Sequence, residues 1–135
     1  MPFALSTRGH YAVLFMYELA RTGNSYASLK DIASRQRVSQ GYLEQIVGPL
    51  RETGLVVSRR GFGGGYSLAK SPRDVTVGEI VRAVEGPVVP VKCVSDDPVP
   101  DTCPDNCQAR AVWQKVGEAI DSVLDSFTLE DLVSE

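Results

Sequence analysis

Three observations predict a mostly α-helical fold with one small β-hairpin for this 135-residue sequence. Apolar residues recur at helical spacing in successive segments, most of them opened by a Ser or Thr able to cap a helix. A single pair of short apolar runs flanks a glycine-rich turn in GLVVSRRGFGGGYSLA, Gly54 to Ala69. A proline- and aspartate-rich stretch, Pro87 to Asn106, then separates the early helices from one long amphipathic helix.

Taken in order, Ser6 can cap a helix running to about Arg21, with Tyr11, Leu14, Phe15, Glu18 and Leu19 at helical spacing and Gly23 as its stop. Ser28, with Asp31 three residues on, forms a capping-box-like start for LKDIASRQ, and Leu29, Ile32 and Ala33 supply a short apolar stripe. Ser39 caps QGYLEQIVGPLRET, whose Leu43, Ile46, Val47 and Leu50 mark the buried side. Pro49 lies inside that segment; it lacks the N–H that would bond the Gln45 carbonyl, so a kink or an early stop near Val47 is expected. Leu55–Arg60 and Tyr66–Ala69 read as strands, with the glycines letting the backbone turn sharply at the tip. Two short helices, a brief turn between them and a strand-turn-strand at once after the second are the order of a winged helix-turn-helix.

The glycine run could also be a phosphate cradle. That motif needs Gly-Lys-Ser or Gly-Lys-Thr opening a helix, whereas Gly65 leads into Tyr-Ser-Leu-Ala. Neither a paired acid/base motif nor a triad constellation is visible, and one histidine gives little to work with, so an enzyme is not expected.

Beyond Pro72, Thr76 and Glu79 make a capping box for VGEIVRAVEG, ended by Gly86. The stretch Pro87 to Asn106 holds five prolines and four aspartates and reads as an unusually long loop. After it, CQARAVWQKVGEAIDSVLDSF spaces Val112, Val116, Ala119, Ile120, Val123, Leu124 and Phe127 as a long amphipathic helix, and Thr128 with Asp131 caps a last turn. The apolar stripe of such a helix needs a partner, which predicts a homodimer with paired helices. The expected organisation is a winged helix-turn-helix DNA-binding domain over 1–86, a cysteine-bearing loop over 87–107, and a dimerisation helix with its C-terminal turn over 108–135.

The net charge of −3 disguises an asymmetry. From Ser28 to Arg73 eight Lys or Arg face three Asp or Glu, a surplus of +5; from Asp74 onward four face thirteen, a deficit of −9. A basic middle joined to an acidic second half points to a nucleic-acid surface on one module and another task for the other, against the plainer reading of two solvated faces. Arg8, His10 and Glu18 interrupt the first apolar run, so neither a signal peptide nor a membrane span fits and a cytoplasmic protein is expected. In such a compartment the three cysteines, Cys93-x9-Cys103-x3-Cys107, favour metal binding or redox chemistry over a disulfide framework. Three soft ligands suit iron-sulfur or zinc, and spacing alone does not choose.

LSTRGHYAV, SQGYLEQIVGPLRETGLV, RRGFGGGYSLA, VTVGEIVRAVEG, the cysteine segment, AVW and FTLEDLV together resemble the Rrf-two family of bacterial regulators over essentially the whole chain, and within it the iron-sulfur cluster-binding branch. The resemblance implies a dimeric transcription factor, a repressor, whose recognition helices and wings contact a palindromic double-stranded DNA operator. It implies also that Cys93, Cys103 and Cys107 hold a 2Fe-2S or 4Fe-4S cluster, through which the protein senses iron-sulfur status, nitric oxide or redox state. The pattern departs from the family in its long first interval and in Arg110, which stands where one group of the branch has a histidine. A guanidinium is always charged and is no ordinary ligand. His10, where some relatives carry an acidic residue, is the candidate fourth ligand in trans; an exposed helix histidine near a phosphate is its plainer reading. A thiol-redox or zinc-containing regulator answering to a small molecule or partner protein is the alternative.

On DNA, the helix opening at Ser39 fits the major groove. Ser39 and Gln40 would meet phosphates or base edges, Tyr42 a phosphate, and Gln45 an adenine. Glu44 would accept from a cytosine amino group, unless it is a plain solvated carboxylate. Arg60, at the base of the Gly61, Gly63 and Gly64 tip, is the candidate for the minor groove, where a narrow groove concentrates negative potential. Strand alternation turns Arg59 the other way, toward phosphate or solvent.

Overall fold

The protein is seen here in a computed structural model that describes residues 6–23, 25–87 and 108–134. The elements are α1 (Thr7–Arg21), α2 (Leu29–Gln36), α3 (Gln40–Glu52), β1 (Val56–Arg59), β2 (Gly65–Leu68), a 3-10 turn (Pro72–Asp74), α4 (Val77–Glu85), α5 (Arg110–Asp125) and α6 (Leu129–Val133). Each expected cap is in place. Ser6, Ser28 and Ser39 accept from the backbone N–H groups of Gly9, Asp31 and Tyr42, and both Thr76/Glu79 and Thr128/Asp131 close reciprocal capping boxes.

The core gathers one face of five helices. Phe15, Met16 and Leu19 of α1, Ile32 of α2, Leu43, Ile46 and Leu50 of α3, Ile80 of α4 and Leu129 of α6 are all fully buried. Inside that core edge sits one carboxylate: Glu18 accepts from Arg35 Nη1 and Gln36 Nε2, each at 3.1 Å, which ties α1 to the end of α2. The turn between α2 and α3 is made by Arg37 at φ 57°. Its neighbour Val38 donates back to the Ala33 carbonyl at 3.1 Å.

The early stop near Val47 does not occur, because α3 continues through Pro49 to Glu52. Leu50, beyond the proline, is fully buried, and Thr53 Oγ1 donates to the carbonyls of Pro49 at 3.0 Å and Leu50 at 3.2 Å. Burial and that cap offset the single hydrogen bond the proline removes.

The antiparallel hairpin pairs Val56 with Leu68, Val57 with Ser67, Ser58 with Tyr66 and Arg59 with Gly65. The strands are thus shorter than Leu55–Arg60 and Tyr66–Ala69, although Ala69 still donates to the Leu55 carbonyl at 3.0 Å. Ala27 and Tyr66 exchange two backbone bonds of 2.8 Å, anchoring the hairpin to the segment before α2. Gly65, at φ 145°, is obligatory there, since a Cβ would run into the Ala27 carbonyl.

After α5 the chain returns to the body: Val77 donates to the Phe127 carbonyl at 2.9 Å and Leu129 to the Val75 carbonyl at 3.0 Å. Arg82 of α4 reaches Asp121 at 3.0 Å and Asp125 at 2.7 Å on α5. Gly78 makes room, for a Cβ there would meet the Asp125 carboxylate and the Arg82 guanidinium.

Candidate nucleic-acid interface

The periodicity that buries Leu43, Ile46, Val47 and Leu50 leaves the opposite face of α3 in water. Ser39, Gln40, Gly41, Glu44 and Gln45 are exposed. Ser39 Oγ spends one acceptor lone pair on the Tyr42 N–H at 3.1 Å and keeps its own proton to donate. Gln40, Glu44 and Gln45 have no side-chain hydrogen bond or ion pair among the described residues, so their polar groups are available. Tyr42 is half-buried, its ring edge-on to Tyr11 at 6.0 Å between centroids, which fixes where the phenol emerges. The α3 N-terminus adds its unpaired N–H groups and positive dipole end, both suited to phosphate.

The wing supplies the second contact element. Between Gly61 and Gly64 the chain closes a turn with a 2.9 Å bond from the Gly64 N–H to the Gly61 carbonyl, and Gly61 and Gly63 take φ values of 95° and 78°. Gly64 is constrained differently: a Cβ would run into the Arg59 carbonyl. The two arginines differ in their surroundings: β1 ends at Arg59, and Arg60 begins the turn. The Arg59 guanidinium lies 5.7 Å above the Tyr26 ring, a partner that the sequence did not reveal. Arg60 is exposed and makes no hydrogen bond, ion pair or cation-π contact among the described residues. No Asp or Glu occurs from Thr53 to Arg73, whereas Arg59, Arg60, Lys70 and Arg73 do; Lys70 and Arg73 pair with Glu79 and Glu130, so the unneutralised charge is that of the two hairpin arginines.

Of the proposed metal ligands only His10 is described; it is exposed on α1, its ring 5.3 Å from that of Tyr11. Cys93, Cys103 and Cys107 lie outside the described residues. Among the described residues no three His, Cys, Asp or Glu gather as a metal site. What the sequence missed, besides the Arg59–Tyr26 pair, is the Arg82 bridge. Its hydrogen bond to Asp125 holds that carboxyl below the ordinary aspartate range and raises Arg82 above the ordinary arginine value. A carboxylate at Glu18, in an otherwise apolar stripe, was the one visible signal of a buried polar link.

A recognition helix with a bare polar face beside a cationic hairpin defines a winged helix-turn-helix DNA-binding protein. The model of the family described as Rrf2, iron-dependent transcriptional regulator, matches residues 5–135, and the chain belongs to that family. It is 44% identical over 131 residues to the HTH-type transcriptional regulator CymR of Bacillus subtilis, covering 96% of this chain and 89% of that one. The solved structure of CymR, the global cysteine regulator of B. subtilis, superposes with a TM-score of 0.79 over 98% of this chain and 97% of that one. T. potens IscR is 43% identical with a TM-score of 0.76, covering 98% and 87%. The oxidized form of Staphylococcus aureus CymR is 34% identical with a TM-score of 0.78, covering 98% of each chain. These relatives are transcriptional regulators, and so is this chain; it is not an enzyme. Among the described residues no helix is long and apolar enough to cross a membrane.

Proposed function

We propose that the chain acts in the cytoplasm as a homodimeric repressor on a palindromic operator, organised as a DNA-binding unit (1–86), a sensory cysteine loop (87–107) and a dimerisation helix with its C-terminal turn (108–135). The observation that carries this reading is the pairing, on one protomer, of an uncommitted polar first turn on α3 with an uncommitted Arg60 on the wing. Ser39, Gln40 and Tyr42 set the register on phosphates, Glu44 and Gln45 read base edges, and Arg60 enters the minor groove. Arg59 and the backbone at Gly61, Gly63 and Gly64 follow the phosphates. Gel shifts with duplexes selected from a random pool test it; a protein that prefers no duplex over bulk DNA sinks it.

For sensing, Cys93, Cys103 and Cys107 are the thiolates that hold a two-iron or four-iron cluster, with His10 of the other subunit as fourth ligand. The family's description as iron-dependent, the likeness to T. potens IscR and the exposure of His10 support this. A bound cluster supplies a centre that exchanges electrons and reacts with nitric oxide. The chain's own part is mechanical: α4 and α5 flank the cysteine segment and are joined by Arg82, so a change at the thiolates biases how α5 sits on the DNA-binding body.

A second reading is favoured by the identity to the B. subtilis global cysteine regulator and by the existence of an oxidized form of S. aureus CymR. In it the thiols are redox sensors or a zinc site, answering to a small molecule or partner protein. Iron and sulfide against zinc in oxygen-protected protein, with an anaerobic absorption spectrum, separates the two. Replacing His10 by Ala leaves that spectrum and its stability unchanged if His10 is no ligand.

A further inference from the structure

Phe62 is the most exposed large apolar side chain among the described residues, at 109% of its reference surface. The turn does not call for it: positive φ is needed at Gly61 and Gly63, whereas the position Phe62 occupies accepts most residues. Nothing among the described residues covers it. It stands three residues from each of the paired strand ends Arg59 and Gly65 and two from Arg60, in a span from Thr53 to Arg73 that holds cations and no carboxylate. An acidic, deep and narrow surface with an apolar interior meets both features, and the minor groove of DNA is one: phosphates line its rims, and the sugar faces and stacked bases lie inside.

Resting on the DNA-binding reading above, we propose that Phe62 is an apolar wedge that enters the minor groove ahead of Arg60 and partly unstacks a base step. The positive charge in the groove is Arg60's part, and Phe62 adds sensitivity to how easily the step beneath the wing opens. Pyrimidine-purine steps open most easily, so Phe62 makes the operator's flexibility part of what is recognised, without any hydrogen bond to a base.

The test uses the full-length protein and a duplex selected from a random pool by the wild type, with 2-aminopurine placed at the step under the wing. Phe62→Ser is expected to bind that duplex about tenfold more weakly, with an unchanged slope of log affinity against log salt and no fluorescence rise on binding. Phe62→Leu keeps most of the affinity and the rise. Arg60→Ala, in contrast, lowers the salt slope by about one. The side chain is fully exposed, so circular dichroism of Phe62→Ser matches the wild type. Wild-type affinity and fluorescence in Phe62→Ser, while Arg60→Ala weakens binding, overturn the wedge and leave the DNA reading standing. A wild type that selects no duplex overturns both.

Discussion

The DNA-binding body and α5 bury their apolar residues to opposite extents. In α1 through α4 and in α6 the side chains at helical spacing are enclosed by one another, with Phe15, Leu43, Ile46, Ile80 and Leu129 fully buried. In α5 the same periodicity leaves Val112 54% and Val123 58% exposed, Phe127 just beyond is 49% exposed, and the one buried residue is Gly117. The body therefore encloses its own core, whereas α5 keeps an exposed apolar stripe and is held to α4 by polar contacts. Amphipathicity alone does not say whether a stripe is covered by its own chain or by another.

The largest effect should come from cutting into the enclosed region. Leu43→Ala removes a fully buried side chain where α3 meets the core, and should cost about 2–5 kcal/mol in denaturant unfolding. A loss below about 1 kcal/mol would mean that the body's core is looser than its burial indicates. Next, Val112→Asp with Val123→Asp should weaken self-association by about a hundredfold, because each carboxylate would be buried without a partner, yet leave the circular dichroism of the body intact. Sedimentation velocity reads this directly; an unchanged assembly state would show that α5 is covered by something other than its copy. Arg60→Ala then probes the exposed wing, and operator affinity should fall about tenfold, or about 1.4 kcal/mol, with unfolding stability unaltered. Equal affinity at moderate salt would remove Arg60 from the interface.

The body was legible in the sequence because its signals are local. A Ser or Thr before each run and an apolar residue every third or fourth place specify a helix within a few residues, and the glycines around Phe62 specify a turn. The α3 face opposite Leu43 and Ile46 follows by subtraction, and with it the exposure of Gln40, Glu44 and Gln45. What the sequence hid depends on pairs distant along the chain. Pro49 looked like a stop because its cost is local, while the burial of Leu50 that offsets it is tertiary. Tyr26 beneath Arg59 and Asp125 beside Arg82 are neighbours only after the hairpin and α5 have docked.

The smallest expected effect concerns the polar seam between the two regions. Hydrogen bonding to Arg82 holds the Asp125 carboxyl below its ordinary range, so its protonation is linked to the docking of α5 on α4. The folded-state value lies below the unfolded one, so the contribution is fully present above the ordinary aspartate range and is lost as pH falls through the depressed value. Arg82 is shifted upward, so its contribution persists through neutral pH and fades only under strong alkali. Because the Asp125 side chain is 42% exposed and solvent screens the pair, the difference should be under about 1 kcal/mol. Trp113, the single tryptophan, lies on α5 and reports on the seam by its fluorescence anisotropy. Acidification from neutral pH should loosen α5 in the wild type below about pH 4, whereas Asp125→Asn, which keeps the size and an acceptor oxygen but cannot ionise, should start looser and show a flatter acid limb. Superimposable limbs would mean that Asp121 and the backbone bonds at Phe127 and Leu129 hold α5 by themselves, and that the seam contributes nothing to separating the two regions.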